Sequence, residues 1–245
     1  MAGSATVSIG PGWEIGPGWS IGYEPVPATL VLSLDAGNPA SYPGSGTTWT
    51  DTVGGKTFTL YNSPTYSSNN GGYLNFDPAS QQYANNTTSL LSLSTWTVEA
   101  WHYYDGTNTG AAPCIVTENW PNTGNEINYT LGAANGSNTD LQAAVFYNGW
   151  YNTPTGYTLT PNSWYQIVGT YTGTALNLYV NNTLVQTAAY SGPAVTGQDG
   201  IKLMRRWDDT DYWGGRLSIV KIWDGDIGTG GVTSEWNANK ARFGL

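Results

Sequence analysis

Residues 164–187 read WYQIVGTYTGTALNLYVNNTLVQT, and this stretch decides the fold. Trp164, Gln166, Val168 and Thr170 fall on one face of an extended strand, with Tyr165, Ile167, Gly169 and Tyr171 on the other. Successive side chains of a strand point to opposite sides, so this is a strand with two distinct faces. Thr172-Gly173-Thr174 supplies a turn, after which Leu176, Leu178 and Val180 alternate with Asn177 and Tyr179. Asn181-Asn182 then makes a two-residue corner into Thr183-Leu184-Val185-Gln186; asparagine tolerates the left-handed backbone such a corner requires. Two successive hairpins with an apolar face must pack that face on something, which predicts a two-sheet antiparallel sandwich.

The same alternation extends outward. Strands are expected near 29–34, 57–61, 73–76, 95–104, 113–118, 127–132, 141–147, 164–171, 175–180, 183–189, 200–205 and 213–223, punctuated by turns such as Asn69-Asn70-Gly71-Gly72 and Asp224-Gly225-Asp226. The single helix expected is the last segment, capped by Thr233, with Glu235 in its first turn and Lys240 and Arg242 toward its C-terminal end. Charged residues make up 10% of the 245, against about 25% in ordinary globular domains. Asn, Thr, Ser, Gly and Tyr must therefore carry the surface, as in a β protein with many polar turns.

Charge is unevenly placed. Lys56 is the only base before position 202, while residues 202–245 hold the other seven and six of the 17 acids. A chain of net charge −9 with no basic run does not track a phosphate backbone, so nucleic acid is excluded as the expected partner. Arg205 and Arg206 read as ion-pair partners for Asp208, Asp209 and Asp211. The single cysteine, Cys114, sits in an apolar run and reads as a small buried hydrophobe. No signal-peptide pattern and no membrane-spanning apolar run is present, so the expected site of synthesis is the cytosol, with no membrane partner.

Residues 8–25 repeat with a period of six: SIGPGW, EIGPGW, SIGYEP. Ile9, Ile15 and Ile21 recur in register, and Trp13 and Trp19 close the first two copies. So short a segment cannot bury its own core, and its regular apolar residues argue for an assembly element over a plain linker. The expected organisation is an arm over 1–27, for attachment or oligomerisation, followed by one sandwich domain over 28–245.

The hairpins of 164–187 resemble the central hairpins of laminin-G-like domains, within the concanavalin A-like lectin/glucanase superfamily. Thr97-Val98-Glu99-Ala100-Trp101 resembles a core strand of that jelly roll, and Gly215–Trp223 the strand before its C-terminal turn. Leu32–Pro39, Ser41–Trp49 and the closing Arg242-Phe243-Gly244-Leu245 resemble variants common in the structural proteins of tailed phages. The resemblance implies a jelly-roll sandwich and a place on the virion surface, made in the cytoplasm of a host bacterium. Its implied partners are other capsid or tail proteins and further copies of itself, a homotrimer being preferred, with host surface glycans as a further ligand.

Chemistry is sparse. Glucanases of this superfamily carry carboxylates two residues apart on one strand, where they share a face and do paired acid/base or nucleophilic work. No Glu-x-Asp-x-x-Glu run exists here, and Glu99 reads as a structural, partly exposed residue. His102 is the only histidine, reads as hydrogen-bonded in the core or at its rim, and leaves no base for a triad elsewhere. A non-catalytic protein requiring no cofactor is therefore expected. Laminin-G-like domains often hold calcium at one rim through oxygen ligands, and Asp208, Asp209 and Asp211 form the densest such cluster. Aromatic faces stack on sugar rings while amides supply hydrogen bonds. Tyr147, Asn148, Trp150, Tyr151, Trp207 and Trp213, placed in loops or strand ends, are the expected glycan-binding residues. A virion surface protein is the leading reading, a free carbohydrate-binding module or adhesin the second, and a glycoside hydrolase the third.

Overall fold

The computed structural model describes residues 27–87, 93–118, 126–133, 136–137, 139–147, 149–192 and 200–245, the side chains of 126–128 and 147 excepted. The hexad residues Ile9, Trp13, Ile15, Trp19 and Ile21 lie outside the described residues, as do Asn148 and the Tyr147 side chain. The first strands are β1 (Thr29–Asp35), β2 (Thr48–Thr50), β3 (Thr57–Tyr61), β4 (Thr65–Ser67), β5 (Tyr73–Phe76) and β6 (Tyr83–Asn86). Then come β7 (Trp96–Tyr104), β8 (Asn108–Thr109), β9 (Cys114–Glu118), β10 (Glu126–Ala133), β11 (Leu141–Tyr147) and β12 (Trp150–Asn152). The last are β13 (Ser163–Tyr171), β14 (Ala175–Val180), β15 (Thr183–Ala189), β16 (Ile201–Leu203), β17 (Tyr212–Trp213), β18 (Gly215–Asp224) and the helix α1 (Gly228–Asn239).

Sixteen of these strands form two antiparallel sheets face to face, and β8 and β17 pair with each other in a small third sheet. One runs β15-β14-β13-β7-β18-β5-β4, with β1 also paired to β18; the other runs β12-β11-β10-β9-β16-β6-β3-β2. The fold is the expected all-β sandwich with one C-terminal helix. Trp96, Val98 and Ala100 of β7 and Ile167 of β13 meet Tyr129 and Leu131 of β10 and Ala143 of β11 in the shared core. Trp96 sets its edge toward Tyr129 at a centroid distance of 6.0 Å. The Asn181-Asn182 corner has φ of 47° and 62° at its two residues, the doubly left-handed turn that matches strand twist.

The central strands β7, β13 and β18 of the first sheet are largely buried on both faces, because the C-terminal segment covers their outer side. Trp101 stacks between Trp236, at 5.7 Å, and Phe243, at 4.7 Å, and Val168 and Tyr179 pack against Val232. The helix begins at Gly228, ahead of the expected cap at Thr233; Ile227 stands at the N-cap with no side-chain bond, and Asp226 Oδ1 accepts the Gly228 N–H at 3.0 Å. Thr233 instead lies inside the helix, where its hydroxyl donates to Asn182 Oδ1 at 2.8 Å and ties the helix to the hairpin corner. Glu235 lies past the first turn and pairs with Lys221 at 2.5 Å. Lys240 and Arg242 fall in the following 3-10 turn, Lys240–Phe243.

Arg242 closes the molecule. Its Nη1 and Nη2 donate to the two carboxylate oxygens of Asp35 at 3.0 and 2.8 Å. Nη2 also reaches Gly71 O and Gly72 O at 2.9 Å and Ser218 Oγ at 2.8 Å, and Nε donates to Asn70 O at 2.8 Å. The loops it bridges approach so closely that a Cβ on Gly37 would lie 1.6 Å from Gly71 O. Only glycine allows that contact.

Candidate functional site

Among the described residues no helix covers the outer face of the second sheet. A hairpin-like loop crosses it instead, rising from β16 and returning at β17. Arg205 bridges to Tyr212, Arg206 N–H donates to Asp211 O at 2.8 Å, and Trp213 N–H to Met204 O at 3.0 Å. Three anchors hold this loop. Lys202 Nζ, rising from β16, donates to Trp207 O at 2.9 Å and pairs with Asp209; burial lowers its pKa, and Asp209 opposes that shift. Asp211 Oδ2 accepts the backbone N–H groups of Ala111 and Ala112 at 3.1 and 3.0 Å and pairs with Arg206 at 3.3 Å. The Arg205 guanidinium lies 4.2 Å above the Tyr83 ring and 5.2 Å from Tyr212, a cation–π stack that fixes the other flank.

The loop displays Trp207 toward the edge strand β12. Its ring sits 5.6 Å from that of Trp150, tilted by 39°, with the Arg206 guanidinium 4.6 Å above it. Phe146 braces Trp150 from β11 at 5.1 Å, edge to face. Between these rings and the sheet lies a groove of about 300 Å³, at the lower end of the roughly 300–1,000 Å³ typical of ligand pockets. Small residues give it depth: Cys114, Gly132 and Ala144 line it, and a Cβ on Gly132 would lie 2.7 Å from Pro113 O. Thr130, Gln142 and Asn152 give it polarity. The Thr130 hydroxyl shares a hydrogen bond with Thr117 at 2.8 Å, and Gln142 Nε2 donates to Thr153 O at 2.7 Å, so these groups are pre-positioned. Burial raises the Cys114 thiol to about 12, which leaves it a spacer and no nucleophile. Among the described residues that line the groove there is no carboxylate.

Of the expected glycan-binding residues, the structure brings Trp150 and Trp207 together. Tyr151 points to the opposite face of β12, where it meets Tyr190 at 4.6 Å. Trp213 must be corrected: it is fully buried, and its Nε1 donates to His102 Nε2 at 2.9 Å. His102 Nδ1 lies 3.0 Å from Arg216 O. A ring accepting at Nε2 carries its proton at Nδ1, so His102 is a neutral core residue, its pKa lowered to about 3 by burial. The acids of the oxygen cluster are engaged in ion pairs. Asp209 faces Lys202 and Arg205, Asp211 faces Arg206 and the Ala111-Ala112 backbone, and Asp208 faces Arg206 at 3.5 Å. Among the described residues no three His, Cys, Asp or Glu side chains are grouped as metal ligands. The expected pairing of Arg205 and Arg206 with these acids is what the loop shows.

Glu99 is not partly exposed but fully buried beneath α1. Sequence reading missed Thr130, Gly132, Gln142 and Ala144 as groove residues. Their signal is small or polar residues opposite the core positions Leu131, Leu141, Ala143 and Val145, a face neither apolar enough to be packed nor bulky enough to be filled.

The chain matches the family model described as "Concanavalin A-like lectin/glucanases superfamily" over residues 77–228, a span that contains the groove. A search of curated proteins finds no match. Among solved structures, domain 4 of an extracellular arabinanase from Geobacillus stearothermophilus, in complex with arabinotriose, superposes with a TM-score of 0.69 at 14% identity. That match covers 85% of this chain and 98% of the domain. The binding domain of botulinum neurotoxin DC, in complex with SialylT, gives 0.62 at 12% identity over 86% of this chain and 51% of its own length. Trypanosoma rangeli sialidase in complex with sialic acid gives 0.63 at 11%, over 87% of this chain and 33% of the enzyme. At such identities the likeness is one of fold.

Proposed function

We propose that this chain, which belongs to the concanavalin A-like lectin/glucanases superfamily, binds carbohydrate without cleaving it, in the groove between Trp207 and the outer face of the second sheet. The observation that carries this reading is Trp150, 43% exposed on an edge strand, set against Trp207 over a floor of amides and hydroxyls. A large aromatic face left in water beside convergent polar groups suits a sugar ring, which is apolar on its faces and polar at its rim. The neighbouring domains solved with arabinotriose and with SialylT support the class of ligand. A groove without a carboxylate lacks the pair that glycosidic cleavage needs, which supports a binding role over hydrolysis.

Trp150→Ala and Trp207→Ala test the site. In native gels containing arabinan, laminarin or a sialylated glycan, the wild type is retarded by at least one, and each variant binds about tenfold more weakly, the effect of roughly 1.4 kcal/mol. Wild-type mobility unchanged by every glycan would sink the carbohydrate reading. Variants as strongly retarded as the wild type would move the site elsewhere.

We further propose that the domain sits on a tailed-phage particle, as capsid decoration or a tail-associated protein. The hexad repeat of residues 8–25 supports this, together with the resemblance of residues 32–49 and 242–245. There the arm holds the particle and the sandwich faces outward. A free carbohydrate-binding module or adhesin is the alternative. Removing residues 1–25 decides between them: loss of particle association with intact glycan binding supports the virion role, and unchanged behaviour supports the free module.

A further inference from the structure

We infer that the ligand is a chain long enough to wrap the edge strand β12, and that Tyr151 holds a second sugar ring in a separate cleft on the far side of that strand. The inference rests on the carbohydrate reading above and extends it. β12 is three residues long and among the described residues pairs only with β11, so no described strand neighbours the other side of its backbone. All three residues are exposed. Trp150 and Tyr151 are adjacent, so strand geometry sends them to opposite faces. Trp150 joins Trp207 in the groove, whereas Tyr151, 44% exposed, joins Tyr190 at the mouth between the two sheets.

That mouth holds a cleft of about 390 Å³, lined by Tyr151, Thr174, Ala189, Tyr190, Ser191 and Gly192. It is built as a site should be. Tyr190 is buried and stands between the exposed Tyr151 and the buried Tyr171, at 4.6 and 5.2 Å, so the exposed ring leans on an anchored stack. The Tyr171 hydroxyl lies 3.2 Å from Gly173 O and 3.0 Å from Gly192 O, fixing the two loops that form the walls. Thr174 and Ser191 bring hydroxyls, and no lining residue is charged. An aromatic face flanked by hydroxyls and carbonyls, without charge, takes an uncharged sugar ring. A hydrophobic core has no need of an open aromatic on each side of one three-residue strand. A polysaccharide crossing the edge would meet Trp150, then the open backbone edge of β12, then Tyr151.

The test separates chain length from the first site. Full-length wild type, Trp150→Ala, Tyr151→Ala, Tyr151→Phe and Ser191→Trp are titrated with arabinotriose and with linear arabinan, and run in gels containing laminarin. Tyr151→Ala and the cleft-filling Ser191→Trp should weaken polysaccharide binding about tenfold, with trisaccharide affinity within twofold of the wild type. Tyr151→Phe should keep both, since the face and not the hydroxyl is used. Ser191→Trp fills the cleft without removing packing, and melting temperatures equal to the wild type in both cleft variants assign a loss to the cleft and not to an unfolded edge. Polysaccharide binding unchanged in both cleft variants, with binding lost in Trp150→Ala, overturns the second subsite and leaves the groove standing. No binding by the wild type to any of these three glycans overturns this inference, and the carbohydrate reading falls with it when the sialylated glycan is not bound either.

Discussion

Glu99 Oε1 accepts both hydrogen bonds that reach this side chain, from Gln166 Nε2 at 2.7 Å and Trp101 Nε1 at 3.0 Å, while Oε2 is buried without a partner. That geometry suits a protonated carboxyl. Burial, reinforced by the nearby Glu235 and opposed by Lys221, raises its pKa to about 7. Between the unfolded value, near 4.5, and about 7 the folded protein keeps a proton that the unfolded chain has lost. Stability therefore falls as pH rises through that window and levels off above it, by about 3 kcal/mol in all. Glu99→Gln mimics the protonated acid, so urea midpoints measured at pH 5 and pH 8 should converge in the variant and diverge in the wild type. A wild type that gains stability over the variant from pH 5 to 8 would overturn the assignment. In the 204–213 loop, Asp208, Asp209 and Asp211 are each matched by Lys202, Arg205 or Arg206. Ion pairs already engage one oxygen of each carboxylate and offset its charge, which weakens the cluster as a ligand set for a hard cation. Melting in millimolar calcium should equal melting in chelator, and a calcium-dependent rise abolished by Asp209→Asn would show those pairs to be exchangeable.

At the scale of elements, the C-terminal turn works as a clasp on the outer face of the first sheet. Arg242 spends its planar fork on Asp35, three loop carbonyls and Ser218, a pattern that a lysine ammonium cannot reproduce. Arg242→Ala should lower stability by about 2–3 kcal/mol, as expected when a charged hydrogen-bonding hub is removed. Arg242→Lys should recover less than half of that in a urea melt, and full recovery would reduce the clasp to simple charge. Period-two alternation made the longer strands legible: β3, β11, β14 and β15 have the bounds read from the sequence, as does the short β5, which the preceding Asn69–Gly72 turn marks off. It did not reveal β2, β4, β6, β8 or β12, which span two to four residues, too few for a period to stand out. Trp150 and Trp207 were legible as aromatics in polar surroundings. Trp213 carries the same local signature yet is buried by its bond to His102, a long-range pairing that no local pattern encodes.

At the scale of the whole molecule, the core cluster among the described residues draws on no residue before Leu32, with Val31 packed against it. The two sheets enclose their own shared core, so deleting residues 1–25 should leave a sandwich that melts cooperatively within about two degrees of the full chain; a non-cooperative melt would show that the arm completes the domain. β1 starts where that arm stops. Ala28 rests against Gly225, Thr29 pairs with Asp224, and the ladder runs on to Asp35 opposite Ile219, where Arg242 holds the carboxylate. A tether attached ahead of Thr29 thus transmits tension into the domain through β1. Pulled along its own axis, β1 loads every rung to β18 together. Pulled away from the sheet, it peels one rung at a time from Thr29, and the grip on Asp35 is met last. The angle at which an anchored arm leaves the domain would set how hard a captured glycan could tug before the first strand lets go.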